Sequence, residues 1–149
     1  MLQVDRVLWR IRQDEGFRSA PYQCIADVWT FGYGTTRYRD ELVKRDTPPI
    51  GIREARLYLR SDVLSAIDDC QAIYSNFGEL HTVHQEVLVC LAYQLGRPNL
   101  QGFRKMNEAI EAFDMVGFAR ELRDSKLFRQ TTKRVKRYLT TIAEHQWPE

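Results

Sequence analysis

The stretch DEGFRSAPYQCIADVWTFGYGTT, residues 14–36, contains the change of pattern that decides the fold. Apolar residues recur at helical spacing ahead of it, at Val4, Val7, Leu8 and Ile11. Gly16 stands where a helix often needs a left-handed residue to end. From Trp29 onward, aromatic residues alternate with Thr and Gly, which is the period of a half-buried strand. The stretch predicts a helix that ends around Glu15, then a small hairpin or three-stranded sheet with residues 25–28 as its turn.

The remainder of the chain has the spacing of helices. One apolar stripe predicts a long amphipathic helix over residues 52–75. A core helix is predicted to begin at Thr82, whose hydroxyl caps the amide of Gln85 in a capping box, and to end at Gly96. Shorter helices are predicted at 104–113, at 115–124 with Asp114 as cap and at 131–145, joined by loops with the sequences RPNLQGF and SKLFRQ.

These elements predict an α+β fold that is mostly α, in one domain of two lobes. A small antiparallel sheet lobe occupies about 16–50, a linking helix about 52–75, and a helical lobe about 80–149 packs with the first helix. The length of 149 residues, with 44% apolar and 28% charged residues, is typical of one soluble globular domain. We expect a monomer.

Composition excludes several classes of protein. Apolar runs are short and the amino terminus is charged, so we expect neither a membrane span nor a signal peptide, and synthesis in the cytoplasm. The three cysteines, Cys24, Cys70 and Cys90, lack the number for a disulfide framework and the spacing for zinc, which predicts free thiols. No metal or cofactor is predicted, because the histidines lack ligand spacing as well: His81, His84 and His145.

Glu15 is a candidate general acid. A cleft between two lobes that is lined by aromatic residues and holds an acid at a helix end suits an elongated sugar polymer. Glycoside hydrolysis needs a proton for the leaving oxygen and a nucleophile or an activated water on the other face. A hairpin that starts after Glu15 brings Cys24 and Thr30 back beside it. Singly, each residue has a simpler explanation: most such glutamates are solvated, and most lone cysteines fill a core.

The combined pattern resembles the phage-type lysozymes or endolysins of glycoside hydrolase family 24. Eight residues separate Glu15 from Cys24 and five separate Cys24 from Thr30, within EGFRSAPY and TFGYGTT. The family has a glutamate, then an aspartate or cysteine, then a threonine at these spacings. EARLYLRSDVLSAIDD resembles its lobe-linking helix, VLVCLAYQLGRPNLQGF its core helix and FRQTTKRVKRYLTTIAEHQW its carboxy-terminal arm, so the resemblance covers nearly the whole chain.

The resemblance implies that Glu15 protonates the glycosidic oxygen, that Cys24 is the second catalytic residue, and that the Thr30 hydroxyl holds the attacking water. The implied substrate is the murein glycan, cut by inversion between N-acetylmuramic acid and N-acetylglucosamine. A free thiol is mostly protonated at neutral pH, since its reference pKa lies about two units higher, so it acts as a base only where its pKa is depressed. Three roles for Cys24 therefore remain open: a thiolate base, which we favour, a nucleophile that gives retention, or a passive wall of the site.

The resemblance also implies supporting residues. Arg134 matches an arginine that faces the catalytic glutamate, and Arg137 is expected to meet Asp14. Gly34 and Thr36 are expected to line the substrate groove, and so is Tyr93, for which a place in the core is equally compatible with the sequence. Thr35 departs from the family, which frequently has histidine there, and this removes a local histidine pairing.

Other functions remain open at this point. A lytic transglycosylase would use the same glutamate on the same polymer. A non-catalytic nucleic-acid-binding module would use the basic helix around Lys133 to Arg137, but it leaves the Glu-Cys-Thr pattern unexplained, so no nucleic-acid partner is predicted. For an endolysin we expect synthesis in the host cytoplasm and action on the periplasmic cell wall. Reaching that wall is expected to depend on a holin-like membrane permeabiliser or another delivery route.

Overall fold

The computed structural model describes residues 2–24 and 26–148, and their contacts form two compact units. One unit is Val4–Leu64, and the other runs from Ser65 to the carboxy terminus and includes Gln3. The helix α1, Val4–Glu15, clusters with the strands that follow it, from which only two residues separate it. The predicted division into a sheet lobe, a linking helix and a helical lobe stays a prediction.

Two short antiparallel hairpins follow α1, where the sequence predicted one hairpin or a three-stranded sheet. β1, Arg18–Gln23, pairs with β2, Trp29–Gly32, and β3, Arg37–Tyr38, pairs with β4, Glu41–Leu42. The second hairpin turns through two residues with positive φ, which matches the twist of its strands. Of the predicted turn 25–28 in the first hairpin, residue 25 lies outside the described residues.

Strand β2 is more deeply buried than its alternating sequence predicted. Thr30, Phe31 and Gly32 are all buried, so both of its faces are covered. Phe31 packs edge-on against the ring of Tyr38, with ring centroids 5.2 Å apart. The prediction of a half-buried strand was therefore wrong, because the face that was expected to meet solvent is also covered: Gly32 packs closely against Ala55 of α2.

The long amphipathic helix is present as α2, Ile52–Ile73, two residues shorter than predicted. Its apolar stripe is buried, with Ala55, Leu59 and Val63 in the first unit and Ala66 and Cys70 in the second. The boundary between the units falls inside this helix, after Leu64.

The core helix is α3, Thr82–Leu95, and every residue from Val83 to Ala92 is buried. Its predicted cap was wrong. The imidazole of His81, one residue earlier, accepts the backbone N–H of Val83, while the amide of Gln85 donates to the carbonyl of Phe77. A histidine ring nitrogen therefore caps α3, where the sequence predicted a threonine hydroxyl. Gly96 ends the helix as predicted.

Three predicted helices are confirmed as α5, Arg104–Glu111, α6, Met115–Arg123, and α8, Thr132–Glu144. Asp114 caps α6 by accepting the N–H of Gly117 at 2.9 Å. The two predicted loops were wrong, since each contains a five-residue helix: α4, Arg97–Gln101, and α7, Lys126–Gln130. A 3-10 turn, Phe77–Glu79, precedes α3.

The described elements confirm the predicted fold class, α+β with predominantly helical structure. Across residues 2–24 and 26–148, no helix is both long enough and apolar enough to cross a membrane.

The carboxyl of Asp62 in α2 is half-buried, which disfavours its charged form. Burial raises the pKa of its carboxyl from 3.8 to about 6. Between these two values the folded chain binds more protons than the unfolded chain, so the stability that this group contributes is lost as pH rises through about 6.

We therefore expect Asp62→Asn to raise the free energy of unfolding at pH 7.5, by roughly 1–2 kcal/mol, and to change little below about pH 4. Urea unfolding at both values measures the effect. Asp68→Asn, on an exposed aspartate of the same helix, is the control and should change little at either pH. Equal effects of Asp62→Asn at the two pH values would contradict the assignment.

Candidate functional site

Glu15 is the last residue of α1, and the backbone sets its place. Gly16 has φ +67° and donates its N–H to the carbonyl of Arg12 at 3.0 Å, which ends the helix. This left-handed conformation is costly for any residue with a Cβ. The chain then enters β1, so the half-buried Glu15 lies where the helix meets the hairpin.

Cys24 and Thr30 are linked through one backbone carbonyl. The N–H of Cys24 donates to the oxygen of Val28 at 3.0 Å, and the hydroxyl of Thr30 donates to the same oxygen at 2.9 Å. Thr30 is 4% exposed, whereas Cys24 is half-buried. The second and third residues of the predicted pattern are therefore held by the same short turn.

Tyr22 connects this turn with Glu15. It is the register partner of Thr30 across the β1–β2 pair. Burial raises the pKa of the Tyr22 phenol, the ionised forms of Glu15 and Cys24 raise it further, and the charge of Arg18 opposes them. Both Glu15 and Cys24 thus lie within electrostatic range of one phenol.

Arg18 lies against Tyr22, with its guanidinium carbon 4.1 Å from the ring centroid. This is a cation–π contact, which fixes the ring and places a positive charge beside the site. Sequence reasoning did not select Arg18 or Tyr22. The signal that could have found them is their separation of four residues in a strand, which places both side chains on one face.

The loop after β2 carries two of the predicted groove residues. Phe31 and Thr35 exchange backbone hydrogen bonds of 3.0 and 2.9 Å around a three-residue loop that includes Gly34. Thr36 is exposed, and its carbonyl accepts the N–H of Val43 at 2.8 Å. The buried hydroxyl of Thr35 has no hydrogen-bond partner among the described residues.

The remaining predicted residues divide between the two units. Asp14 is half-buried in α1, with Glu15. Tyr93 in α3 and Arg134 and Arg137 in α8 belong to the other unit. There, Arg134 donates from Nε to the hydroxyl of Tyr138 at 2.9 Å. The pairings of Arg134 with Glu15 and of Arg137 with Asp14 stay predictions.

A depression of about 570 Å³ lies on the unit that begins at Ser65, called the helical unit below. Charged and amide side chains dominate its lining, and none of the predicted site residues takes part: Gln101, Arg104, Asn107, Glu108, Glu111, Ala112.

Residues 12–141 match the family model of phage lysozymes, and this range includes the helix end, the turn and the hairpin described above. The chain belongs to the phage lysozyme family. The family predicted from the Glu-Cys-Thr spacing is thereby confirmed, and the α+β architecture agrees with it.

A phage endolysin is also similar in sequence to this chain. The SAR-endolysin of Haemophilus phage HP1 (strain HP1c1) is 32% identical over 89 residues. The match covers 60% of this chain and 45% of that relative, so the chain spans less than half of the relative's length.

Gly32 ends β2 at a position where both the backbone conformation and the available space disfavour a side chain. Its φ is +63°, and a Cβ added there would lie 3.2 Å from the Cβ of Ala55 on α2. Gly16 has a similar φ of +67° but open space around it, and Gly51 has open space without a positive φ.

We expect Gly32→Ala to lower the free energy of unfolding most, by about 2–3 kcal/mol, because it combines backbone strain with overpacking. Gly16→Ala should cost about 1 kcal/mol for strain alone, and Gly51→Ala should cost least. Urea unfolding of the three variants measures the order. A loss for Gly32→Ala no larger than that for Gly16→Ala would contradict the close approach of β2 to α2.

Proposed function

We propose that this phage lysozyme is an endolysin that hydrolyses the bond between N-acetylmuramic acid and N-acetylglucosamine in bacterial peptidoglycan. The observation that carries the proposal is the position of Glu15 at the end of α1, within electrostatic range of Tyr22, which is also within range of Cys24 and is the register partner of Thr30. The endolysin name of the Haemophilus phage relative supports the same activity.

In this proposal Glu15 is the general acid. Its carboxyl gives a proton to the glycosidic oxygen as the bond to the sugar breaks, which lowers the cost of the leaving group. Half-burial at the junction of α1 and β1 limits the access of bulk water to the proton. The charge that develops on the sugar ring is positive, so a nearby anionic group stabilises the transition state.

The hydrogen bond of Thr30 restricts what its hydroxyl does in the reaction. The single hydroxyl proton is donated to the carbonyl of Val28, so both lone pairs are left as acceptors. Thr30 therefore orients a water by accepting a hydrogen bond from one of its O–H groups. The oxygen of that water is then free to attack the anomeric carbon.

Cys24 is proposed to accept the other proton of the water, as a thiolate base. Among the three cysteines it is the one with solvent access, since Cys70 and Cys90 are buried. Burial raises the pKa of the Cys70 thiol, which keeps that group protonated and unreactive. A thiolate base gives inversion, whereas attack by Cys24 on the sugar would give a covalent intermediate and retention.

The supporting roles belong to the same proposal. Gly34, Thr36 and Tyr93 contact the glycan strand, Arg134 faces Glu15, and Arg137 meets Asp14. A monomer acts on the cell wall after a holin-like membrane permeabiliser or another route has delivered it.

Replacing Glu15 tests the acid. We expect Glu15→Gln to lower the rate of clearing of outer-membrane-stripped Gram-negative cells by a hundredfold or more, since general acid catalysis supplies about 10²–10⁴-fold. Asp5→Asn, on an exposed acid at the other end of α1, is the matched control and should clear at the unmodified rate. Clearing by Glu15→Gln at that same rate would overturn the mechanism.

The mass of the released muropeptides identifies the reaction. Hydrolysis adds one water across the glycosidic bond, whereas a lytic transglycosylase forms an anhydro sugar that is lighter by one water. We therefore expect reducing, hydrated products in the mass spectrum of digested murein.

Substitutions at Cys24 test the base. Cys24→Asp should keep substantial activity, because a carboxylate is an adequate base at neutral pH, while Cys24→Ser should lose most of it. Asp27→Asn is the control for the nearby spare carboxylate, and Asn tolerates the positive φ of +60° at that position. Full activity of the serine variant would sink the base role and leave Cys24 as a wall of the site.

A further inference from the structure

The three histidines of the chain meet in one place, although two of them are far from the third in sequence. His81 precedes α3, His84 lies in its first turn, and His145 follows α8. The ring centroids are 5.4 Å apart for His81 and His84, 5.3 Å for His81 and His145, and 4.9 Å for His84 and His145. The chain contains three histidines, so this histidine cluster holds all of them.

Two of the rings, those of His81 and His84, also make hydrogen bonds that depend on their protonation. Nδ1 of His81 accepts the N–H of Val83 at 3.2 Å, which requires a free lone pair on that nitrogen. Nε2 of His84 lies 3.1 Å from the carbonyl of Ile142, so the ring donates from Nε2 and its Nδ1 carries no proton while the ring is neutral. His145 has a left-handed backbone, with φ +57°, and ends α8.

The cluster adjoins a segment, residues 145–148, that α3 holds in place. The indole N–H of Trp147 donates to Oε1 of Glu86 at 2.8 Å, and its ring meets Tyr138 edge-on at 6.3 Å. Glu86 is fully buried, and its Oε2 accepts the backbone N–H of Gln3 at 2.9 Å. The carboxylate of one α3 residue thus binds segments near both ends of the chain.

We propose that the histidine cluster is an acid-sensitive latch, which holds residues 145–148 on α3 while its rings are uncharged and releases them when the rings are protonated. The proposal concerns the helical unit and is independent of the proposed enzymatic reaction.

Protonation affects each contact of the cluster. A proton on Nδ1 of His81 removes the acceptor that caps α3, and a cation there opposes the positive end of the helix dipole. His84 is 3% exposed, so its charged form is poorly solvated. Cations on neighbouring rings about 5 Å apart repel one another.

The acidic groups around the cluster do not compensate these charges. Glu79 in the 3-10 turn and Glu144 in α8 are exposed, and Glu86 is engaged with Trp147 and Gln3. Among the described residues, the charged groups that act on the titration of His84 are His145 and His81, and both act against a second proton.

The direction of the pH effect follows from His84. Burial lowers the pKa of its imidazole, the bond to Ile142 opposes this, and the other two histidines lower it further. Below the unfolded value of about 6.5, the unfolded chain binds more protons than the folded chain. The stability that His84 contributes is therefore lost as the pH falls below that unfolded value.

The test compares the full chain with a variant that cannot be charged at the cluster. His81→Asn keeps a capping side chain, His84→Gln keeps an N–H donor for Ile142, and His145→Asn tolerates the left-handed backbone. Hydrogen exchange of residues 141–148, corrected for the intrinsic effect of pH, is measured by mass spectrometry at pH 7.5 and pH 5. Asp62 is present in both proteins, so its titration cancels in the comparison.

We expect protection of residues 141–148 in the unmodified chain to fall by about tenfold between pH 7.5 and pH 5, which corresponds to about 1.4 kcal/mol, and to stay constant in the triple variant. Equal loss in both proteins, or constant protection in the unmodified chain, overturns the latch. Should the triple variant lack a native circular dichroism spectrum at pH 7.5, the single variant His145→Asn decides. This change on an exposed ring must then reduce the pH dependence, and an unchanged dependence overturns the proposal.

Discussion

The candidate site depends on two hydrogen bonds that the carbonyl oxygen of Val28 accepts. This oxygen accepts hydrogen bonds from the backbone N–H of Cys24 and from the hydroxyl of Thr30, so one atom fixes both residues at the turn of the first hairpin. The same bond uses the only proton that Thr30 has, which leaves its hydroxyl as an acceptor toward a water. The water-holding role proposed for Thr30 thus rests on a part-buried hydrogen bond and not on proximity alone.

The long helices were the part of the fold that the sequence predicted best. α1, α2, α3 and α8 run for twelve or more residues, so their apolar stripes repeat often enough to identify them. The five-residue helices α4 and α7 complete little more than one turn, and no periodicity distinguishes them from loops. The cap of α3 was missed for a chemical reason, since an imidazole nitrogen accepts as well as a hydroxyl but is rarely sought there.

Some residues of the candidate site follow a pattern in the sequence, whereas others come together only in the folded chain. The spacing of Glu15, Cys24 and Thr30 is a linear pattern, and it was sufficient to identify the family. Tyr22 enters through strand register, because it lies opposite Thr30, and Arg18 enters through its contact with the Tyr22 ring. The histidine cluster joins the start of α3 to the end of α8, and no spacing rule for metal ligands or switches would have grouped those residues.

The two units contain buried titratable groups that respond to pH in opposite directions. Asp62 belongs to the unit Val4–Leu64, and its raised pKa makes that unit less stable as the pH rises through about 6. His84 belongs to the other unit, and its lowered pKa makes that unit less stable as the pH falls below the unfolded value of about 6.5. Burial raises the pKa of Asp62, whereas burial together with the charges of His145 and His81 lowers the pKa of His84 against the opposing bond to Ile142. Acidification from neutral pH therefore strengthens the unit that contains Glu15, Cys24 and Thr30, while it loosens the helical unit at its carboxy-terminal segment.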